Sequence, residues 1–211
     1  MPKIKFSLLS IIGGLTLLSS SAYAGVDAEV SYILNTLLFL IGGFLVMWMA
    51  AGFAMLESGL VTSKSVATIA AKNIGLYSIA GLMFWLVGYN LAYGIPEGGF
   101  IGSFLPWSDA SAVDTGYSDG SDWFFQMVFC ATTCSIVSGT LAERIKIWPF
   151  FLFCAILAGV IYPIEMGWQW GGGHLAAAGF SDFAGSTLVH SAGAAAALAG
   201  AILLGPRLGR F

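Results

Sequence analysis

The sequence predicts an all-α membrane protein, a polytopic helical bundle of five transmembrane helices, and three observations carry this prediction. Of the 211 residues, 58% are hydrophobic and 9% are charged, and the mean hydropathy is +0.87, as is typical of membrane chains. Five stretches are long enough to cross roughly 30 Å of hydrocarbon as helices: residues 32–56, 74–93, 123–141, 147–164 and 183–204. None of them contains Asp, Glu, Lys or Arg, and none shows the period-2 alternation that a lipid-facing β-barrel needs.

Residues 1–24 have the composition of a cleavable signal peptide. Lys3 and Lys5 precede an apolar run over residues 6–18, and Ala22-Tyr23-Ala24 follows as the small-x-small pattern that signal peptidases cut. The mature chain, residues 25–211, would then begin near Gly25. An uncleaved anchor helix is the alternative interpretation.

The basic residues outside the signal predict the orientation in the membrane. They lie in or beside the first and third loops and after the fifth span: Lys64, Lys72, Arg144, Lys146, Arg207 and Arg210. The loop of residues 95–122 carries acidic residues and no base. The positive-inside rule therefore predicts a multi-pass protein of the cell inner (plasma) membrane, with the N-terminus outside and the C-terminus cytoplasmic. No basic patch of the nucleic-acid-binding kind is present, so no nucleic-acid partner is expected.

Two ionisable residues need explaining here: His190 lies inside the fifth stretch, and Asp182 lies immediately before it. An ionisable group inside a span is retained only where it faces a bundle interior or a cavity, which makes His190 a candidate functional residue. The alternative is a neutral histidine that hydrogen-bonds within the bundle. Asp182 opens the stretch after Ser181, a capping sequence whose carboxylate would accept free backbone N–H groups. If residues 182–190 were helical, the imidazole would lie about 12 Å deeper than Asp182.

The other polar and sulfur-containing residues favour structural roles. Glu57 and Glu143 are expected to cap the inner ends of spans. The cysteines all lie in apolar runs with no polar support for a metal, so they are expected to act as small hydrophobes: Cys130, Cys134 and Cys154. Neither a metal site nor a cofactor is predicted.

Aromatic residues cluster near the outer ends of the third and fourth spans. Phe125 and Phe129 are four residues apart and share one helix face. Trp168 and Trp170 stand just ahead of the run Gly171-Gly172-Gly173, where the backbone can approach its neighbours closely. The alternatives are an interfacial aromatic belt for the tryptophans and plain packing for the phenylalanines.

Several stretches together resemble the Amt/Mep/Rh ammonium transporter superfamily. They are WGGG at 170–173, DFAGSTLVH at 182–190, AGFAMLESGLVTSK at 51–64, the Phe125-Gln126…Phe129 cluster and LAERIK at 141–146. They cover essentially all of the mature chain in the order and spacing of the family. The family fold has eleven helices in two inverted repeats, and this chain, with an odd number of spans, matches the N-terminal five-span half.

The resemblance implies a role for each matching residue. Trp170 and Phe129 would form an outer substrate recruitment site, with Phe125 as an external gate above it. Asp182 would support that site from behind, and His190 would be the first of two pore histidines. The family is homotrimeric and commonly has a PII-type signalling protein as a cytoplasmic partner. The implied activity is ammonium transport, in which the cation is recruited, loses its proton, and ammonia and proton cross separately.

Some of the same residues are compatible with other functional classes. The chain could be a non-transporting half of a split or truncated transporter that senses ammonium or binds a partner. Ser138-Gly139 with His190 suggests an intramembrane serine protease, but the glycine that precedes the nucleophile in such enzymes is absent. A haem-binding bundle using His174 and His190 is poorly placed, because His174 lies in an outer loop. The sequence therefore predicts a transporter and no enzyme.

Overall fold

A computed structural model describes residues 26–110 and 112–209, and the regular structure in these ranges is helical. The predicted signal peptide, residues 1–24, lies outside the described residues. The main helices, numbered here in chain order, are α1 (Ala28–Leu60), α2 (Ser63–Tyr93), α3 (Asp119–Leu141), α4 (Ile147–Gly167), α5 (His174–Ala177) and α6 (His190–Leu204). A 3-10 turn spans Val113–Thr115. The prediction of an all-helical membrane protein is confirmed.

Helices α1 to α4 are each long and apolar enough to cross a membrane, and α6 is shorter. At about 1.5 Å of rise per residue, the 15 residues of α6 extend about 22 Å, less than the roughly 30 Å of a bilayer core. The predicted count of five spans is therefore not confirmed within the described residues. Two helices also contain a π-helical turn, at Phe84–Gly88 in α2 and at Leu157–Ile161 in α4.

Helix α3 lies at the centre of the bundle and packs against α1, α2 and α6, while α4 packs against α2. Its inward face is lined by small side chains, which permit close packing of helices. Cys130, Cys134 and Cys154 are fully buried in this core and form no disulfide. This placement agrees with their expected behaviour as small hydrophobes.

The two ends of the bundle differ in charge. At one end, Arg207 donates hydrogen bonds to the carbonyls of Leu60 (3.2 Å) and Gly139 (3.3 Å), and Arg144 donates to the carbonyl of Gly205 (2.7 Å). These bonds tie the ends of α1, α3 and α6 together. The opposite end is formed by residues 94–118 and 168–189, whose charged residues in the described range are acidic. The bundle therefore has the charge asymmetry on which the predicted orientation depends.

The fifth predicted stretch begins as a turn and not as a helix. Residues 183–189 form bends and turns, and the helix starts at His190. Gly185 has a φ of +83°, a left-handed conformation that breaks helical continuity. The estimate that His190 lies about 12 Å below Asp182 assumed a continuous helix over residues 182–190, and that assumption is wrong.

Glu57 is not a solvated helix cap, and this expectation is also wrong. It lies inside α1 with its side chain buried, 3.2 Å from Lys72 Nζ in α2. Glu143 does act at a helix end, because its Oε1 accepts the backbone N–H of Thr62 (2.8 Å) immediately before α2. Glu57 tolerates burial because Lys72 pairs with its charge.

Candidate outer cation site

An aromatic cavity of about 500 Å³ opens at the acidic end of the bundle. Helices α1, α2 and α3 and the segment after α4 all contribute to it. Its aromatic lining is Phe39, Tyr89, Tyr93, Tyr117, Phe125, Phe129, Trp170 and Phe183. Asp122 and Gln126 are the remaining lining residues. The cavity therefore combines ring faces and edges with one carboxylate and one carboxamide.

The rings predicted to act together are in contact in this cavity. The ring centroids of Phe125 and Phe129 are 5.1 Å apart with an interplanar angle of 87°. Those of Phe129 and Trp170 are 5.4 Å apart at 63°. Phe39 of α1 extends the cluster, 5.4 Å from Phe125. Edge-to-face contacts of this kind fix ring positions by complementing the positive edge of one ring with the negative face of another.

The Trp170 ring is held by the segment that precedes α6. Its Nε1 donates a hydrogen bond to the backbone carbonyl of Asp182 at 2.7 Å. The Asp182 carboxylate accepts three backbone N–H groups, from Gly185, Thr187 and Leu188, each at 2.8 Å. The residue thus stabilises the turn with its side chain and orients Trp170 with its carbonyl.

The same hydrogen bonds keep Asp182 ionised. Burial of the side chain acts to raise its pKa, but the N–H groups of Leu188, Thr187 and Gly185 outweigh burial and lower the pKa below its ordinary value. The three backbone N–H groups stabilise the negative charge of the carboxylate. Asp182 therefore supports the aromatic cavity without lining it.

Asp122 lines the cavity, a role that was not predicted from its place in the acidic outer loop. It lies in the first turn of α3, and its side chain is buried. Tyr89 donates its O–H to Asp122 Oδ2 at 2.6 Å, and Gln126 donates its Nε2–H to Oδ1 at 3.3 Å. Residues 122, 125, 126 and 129 follow the spacing i, i+3, i+4, i+7 of one helix face, which is a signal that could have identified it.

His190 lies apart from this cavity. It is the first residue of α6 and is exposed, and its backbone N–H donates to the carbonyl of Gly185 at 3.0 Å. The cavity lining does not include its imidazole. The structure therefore brings Trp170, Phe129 and Phe125 together, with Asp182 behind them, and leaves His190 on the surface of this half-bundle.

The residues of the two enzyme-like alternatives do not assemble. Ser138 Oγ donates to Glu57 Oε2 at 2.8 Å near the basic end, whereas His190 follows the turn at the acidic end. His174 stacks on Phe100, with ring centroids 4.2 Å apart, and lies against Trp168. Neither arrangement forms a nucleophile–base pair or a bis-histidine site.

A helical membrane bundle with an aromatic, carboxylate-containing cavity defines a class of membrane protein suited to hold a small organic or inorganic cation. Sequence comparison identifies the family to which the chain belongs. It belongs to the Ammonium Transporter Family, whose sequence model matches residues 37–211. The predicted family is thereby confirmed, and so is the prediction of a protein that is not an enzyme.

Individual relatives agree with this assignment. The ammonium transporter Amt2 of Archaeoglobus fulgidus is 42% identical over 187 residues, which cover 82% of this chain and 38% of that protein. A solved structure titled Sensor Amt Protein superposes with a TM-score of 0.77 at 34% identity, covering 84% of this chain and 45% of the other. The crystal structure of Candida albicans Mep2 gives 0.73 at 26% identity, covering 86% and 41% respectively. The chain thus spans less than half the length of each.

Proposed function

We propose that this chain takes part in ammonium transport across the membrane. Ammonium is recruited at the outer aromatic cavity and is then conducted as ammonia and proton along a pathway that includes His190. The observation that carries the proposal is the Phe129–Trp170 contact in the cavity wall, 5.4 Å between centroids, in a member of an ammonium transporter family. Phe125, whose ring contacts Phe129 edge to face, is proposed as the external gate.

The residue types suit ammonium for a physical reason. Aromatic faces attract a cation by about 0.5–2 kcal/mol, which is enough to concentrate it in the cavity. Moving the bare ion through an apolar bundle would cost on the order of tens of kcal/mol. If its pKa lies roughly two to three units above neutral pH, loss of the proton costs only ~3–4 kcal/mol. Deprotonation below the cavity is therefore favoured over transfer of the charge.

His190 is proposed as one wall of the pathway. A neutral imidazole can accept a hydrogen bond from ammonia with one nitrogen and donate one with the other. Its exposure at the start of α6 leaves the ring accessible to a second wall. Relatives of more than twice the matched length have further chain from which such a wall can be built.

The remaining assignments also belong to this proposal. We place the acidic end with the aromatic cavity outside and the basic end in the cytoplasm, which the charge asymmetry supports. The inner-membrane location, the homotrimer and the PII-type partner follow from the family resemblance. The cytoplasmic end presents Lys64 and Arg207 around a surface cavity of about 560 Å³.

A second candidate function is ammonium sensing by a non-transporting half. One observation favours it: the superposition on a protein titled Sensor Amt Protein. In this case the outer cavity would bind ammonium, and binding would alter a partner and drive no transport. The two candidates share the cavity and differ in the pathway below it.

The test reconstitutes the 211-residue chain into proteoliposomes and records the current evoked by an ammonium jump, with a potassium jump as control. An ammonium-selective current that is lost in His190→Ala and in Trp170→Leu is expected for a transporter. Trp148→Leu is the matched control, because Trp148 is 77% exposed on α4 and lies away from the cavity. Absence of current with retained ammonium binding supports the sensing function. Absence of both contradicts the proposal.

A further inference from the structure

We infer that Asp122 is the anionic anchor of the outer cation site and that Gln126 supplies a second oxygen acceptor for the bound ion. This inference rests on the proposed function, because it assigns the ligands of the same cavity. The aromatic rings attract any small cation, whereas these two side chains would give the cavity a fixed counter-charge and a direction for N–H donors.

Asp122 and Gln126 lie on the same wall of the cavity. Asp122 and Gln126 are one helical turn apart on α3, on the face that also carries Phe125 and Phe129. Both line the aromatic cavity. Asp122 is only 6% exposed, so its charge is screened little by water. A cation that contacts Phe129 and Trp170 therefore lies in a cavity whose wall carries this carboxylate.

The charge of Asp122 is not balanced by an ion pair within the described ranges. Within the described ranges the ion pairs are Lys72–Glu57 and Arg207–Glu143, and neither involves Asp122. Its two hydrogen-bond donors, Tyr89 and Gln126, are neutral. Asp182, a second acid near the cavity, uses its oxygens to accept hydrogen bonds from three backbone N–H groups. Asp122 is thus the acidic residue of the cavity lining whose charge a bound cation can neutralise.

The hydrogen bond to Asp122 fixes the orientation of the Gln126 amide group. An ionised carboxylate only accepts, so Gln126 must turn its NH₂ toward Asp122 and leave its Oε1 as a free acceptor. That Oε1 is buried and has no hydrogen-bond partner among the described residues. Ammonium has four N–H donors and can satisfy Oε1 and the carboxylate together. Gln126 is therefore the second side chain that can contact the bound cation through an oxygen atom.

The experiment measures ammonium and potassium binding to the purified full chain by isothermal titration calorimetry, a readout that does not depend on Trp170. The variants are Asp122→Asn, which removes the charge and keeps the shape, and Gln126→Met, which removes the acceptor. Asp114→Asn is the matched control, because it removes an acid from the exposed outer 3-10 turn that does not line the cavity. Circular dichroism and gel filtration establish that each variant is folded.

We expect Asp122→Asn to weaken binding of both ions by about tenfold or more, because a charged hydrogen-bond partner is lost. Gln126→Met should weaken ammonium binding severalfold, because one oxygen acceptor is lost, and should have a smaller effect than Asp122→Asn. Wild-type affinity in Asp122→Asn, with binding lost in Trp170→Leu, overturns this inference and leaves the proposed function standing. No ammonium binding by the wild-type chain overturns both.

A second variant keeps the inference falsifiable if Asp122→Asn does not fold. Tyr89→Phe removes the O–H that donates to Asp122 and retains the carboxylate. The carboxylate then depends more on a bound cation, so ammonium should raise the thermal unfolding temperature of Tyr89→Phe more than that of the wild type. Equal ammonium-induced shifts would assign Asp122 a purely structural role and contradict the inference.

Discussion

Glu57 and Lys72 form an ion pair inside the bundle, with Glu57 Oε2 at 3.2 Å from Lys72 Nζ and both side chains almost fully buried. Ser138 of α3 completes the arrangement: its carbonyl accepts from Lys72 Nζ and its hydroxyl donates to Glu57 Oε2, both at 2.8 Å. The Phe150 ring of α4 lies 5.0 Å from the ammonium group. One polar cluster therefore joins α1, α2, α3 and α4.

Lys72→Met is predicted to destabilise the bundle strongly. It removes the cation and leaves the Glu57 carboxylate buried with the Ser138 hydroxyl as its remaining donor. Breaking a buried pair in this way costs about 3–5 kcal/mol, because the residual charge is uncompensated. The measurement is the unfolding free energy in detergent, followed by circular dichroism.

The double variant Glu57→Leu/Lys72→Met distinguishes this mechanism from a simple packing defect. It removes both charges and should recover much of the stability that Lys72→Met loses, because apolar replacement of a complete buried pair is often neutral. Arg207→Gln is the comparison at a less buried pair, Arg207–Glu143 at 3.5 Å. It also removes the hydrogen bonds to Leu60 and Gly139 and should still cost less than Lys72→Met, because no fully buried charge is left unpaired. A double variant no more stable than Lys72→Met would contradict the charge argument.

Gly193 is predicted to set the approach of α6 to α3. A Cβ at this position would lie 2.9 Å from Ile136 Cβ and 3.1 Å from the Thr133 carbonyl oxygen. Gly193→Ala should therefore cost about 1–3 kcal/mol as overpacking. Gly52→Ala in α1 is the matched control, since its Cβ meets nothing within 4 Å, and should be neutral or stabilising by up to about 1 kcal/mol. Equal effects in thermal unfolding would remove the packing explanation.

The sequence predicted α1 to α4 because hydropathy reports how many apolar residues a span contains. It misplaced the helix boundaries because each charge was treated as an end. Helix α2 starts at Ser63 and not at residue 74, since Lys72 is accommodated inside the bundle by Glu57. The pairing partner lies on another helix, and a pattern of residues along one helix does not reveal it.

Residue spacing and short sequence motifs predicted part of the candidate site. The Phe125–Phe129 spacing identified one wall of the cavity, and the family motifs identified Trp170 and Asp182. Asp122 was missed because it was assigned to the outer loop and not to the face of α3 that carries Phe125 and Phe129. The turn at residues 183–189 was missed because its length depends on which N–H groups the Asp182 carboxylate accepts, a tertiary detail that a capping sequence leaves open.

Asp182→Asn is predicted to loosen the turn before α6. The single amide oxygen can replace one carboxylate oxygen, while the NH₂ group faces a backbone N–H and leaves that donor unsatisfied. An unsatisfied buried donor costs about 1–3 kcal/mol. Hydrogen exchange should accelerate at the amides of Gly185, Thr187 and Leu188, the three donors to Asp182. Unchanged protection of these amides would show that the turn is held by other contacts.

Glu143 predicts a pH dependence at the basic end of the bundle. Hydrogen bonds from the Thr62 hydroxyl (2.7 Å) and N–H (2.8 Å), with Arg207 nearby, lower its pKa to about 2. The folded-state pKa is thus below the unfolded value of about 4.3. Its contribution to stability is therefore fully present above the unfolded pKa and is lost as the pH falls through the folded pKa.

The measurement compares the unfolding temperatures of the wild type and Glu143→Gln from pH 7 to pH 2. The wild type should be more stable by a constant margin above about pH 5, and the margin should shrink as the pH approaches about 2, the folded-state pKa. The difference between the two proteins isolates Glu143, because every other acid titrates in both. A margin that stays constant down to pH 2 would mean that the Thr62–Glu143 contact does not depend on the carboxylate charge.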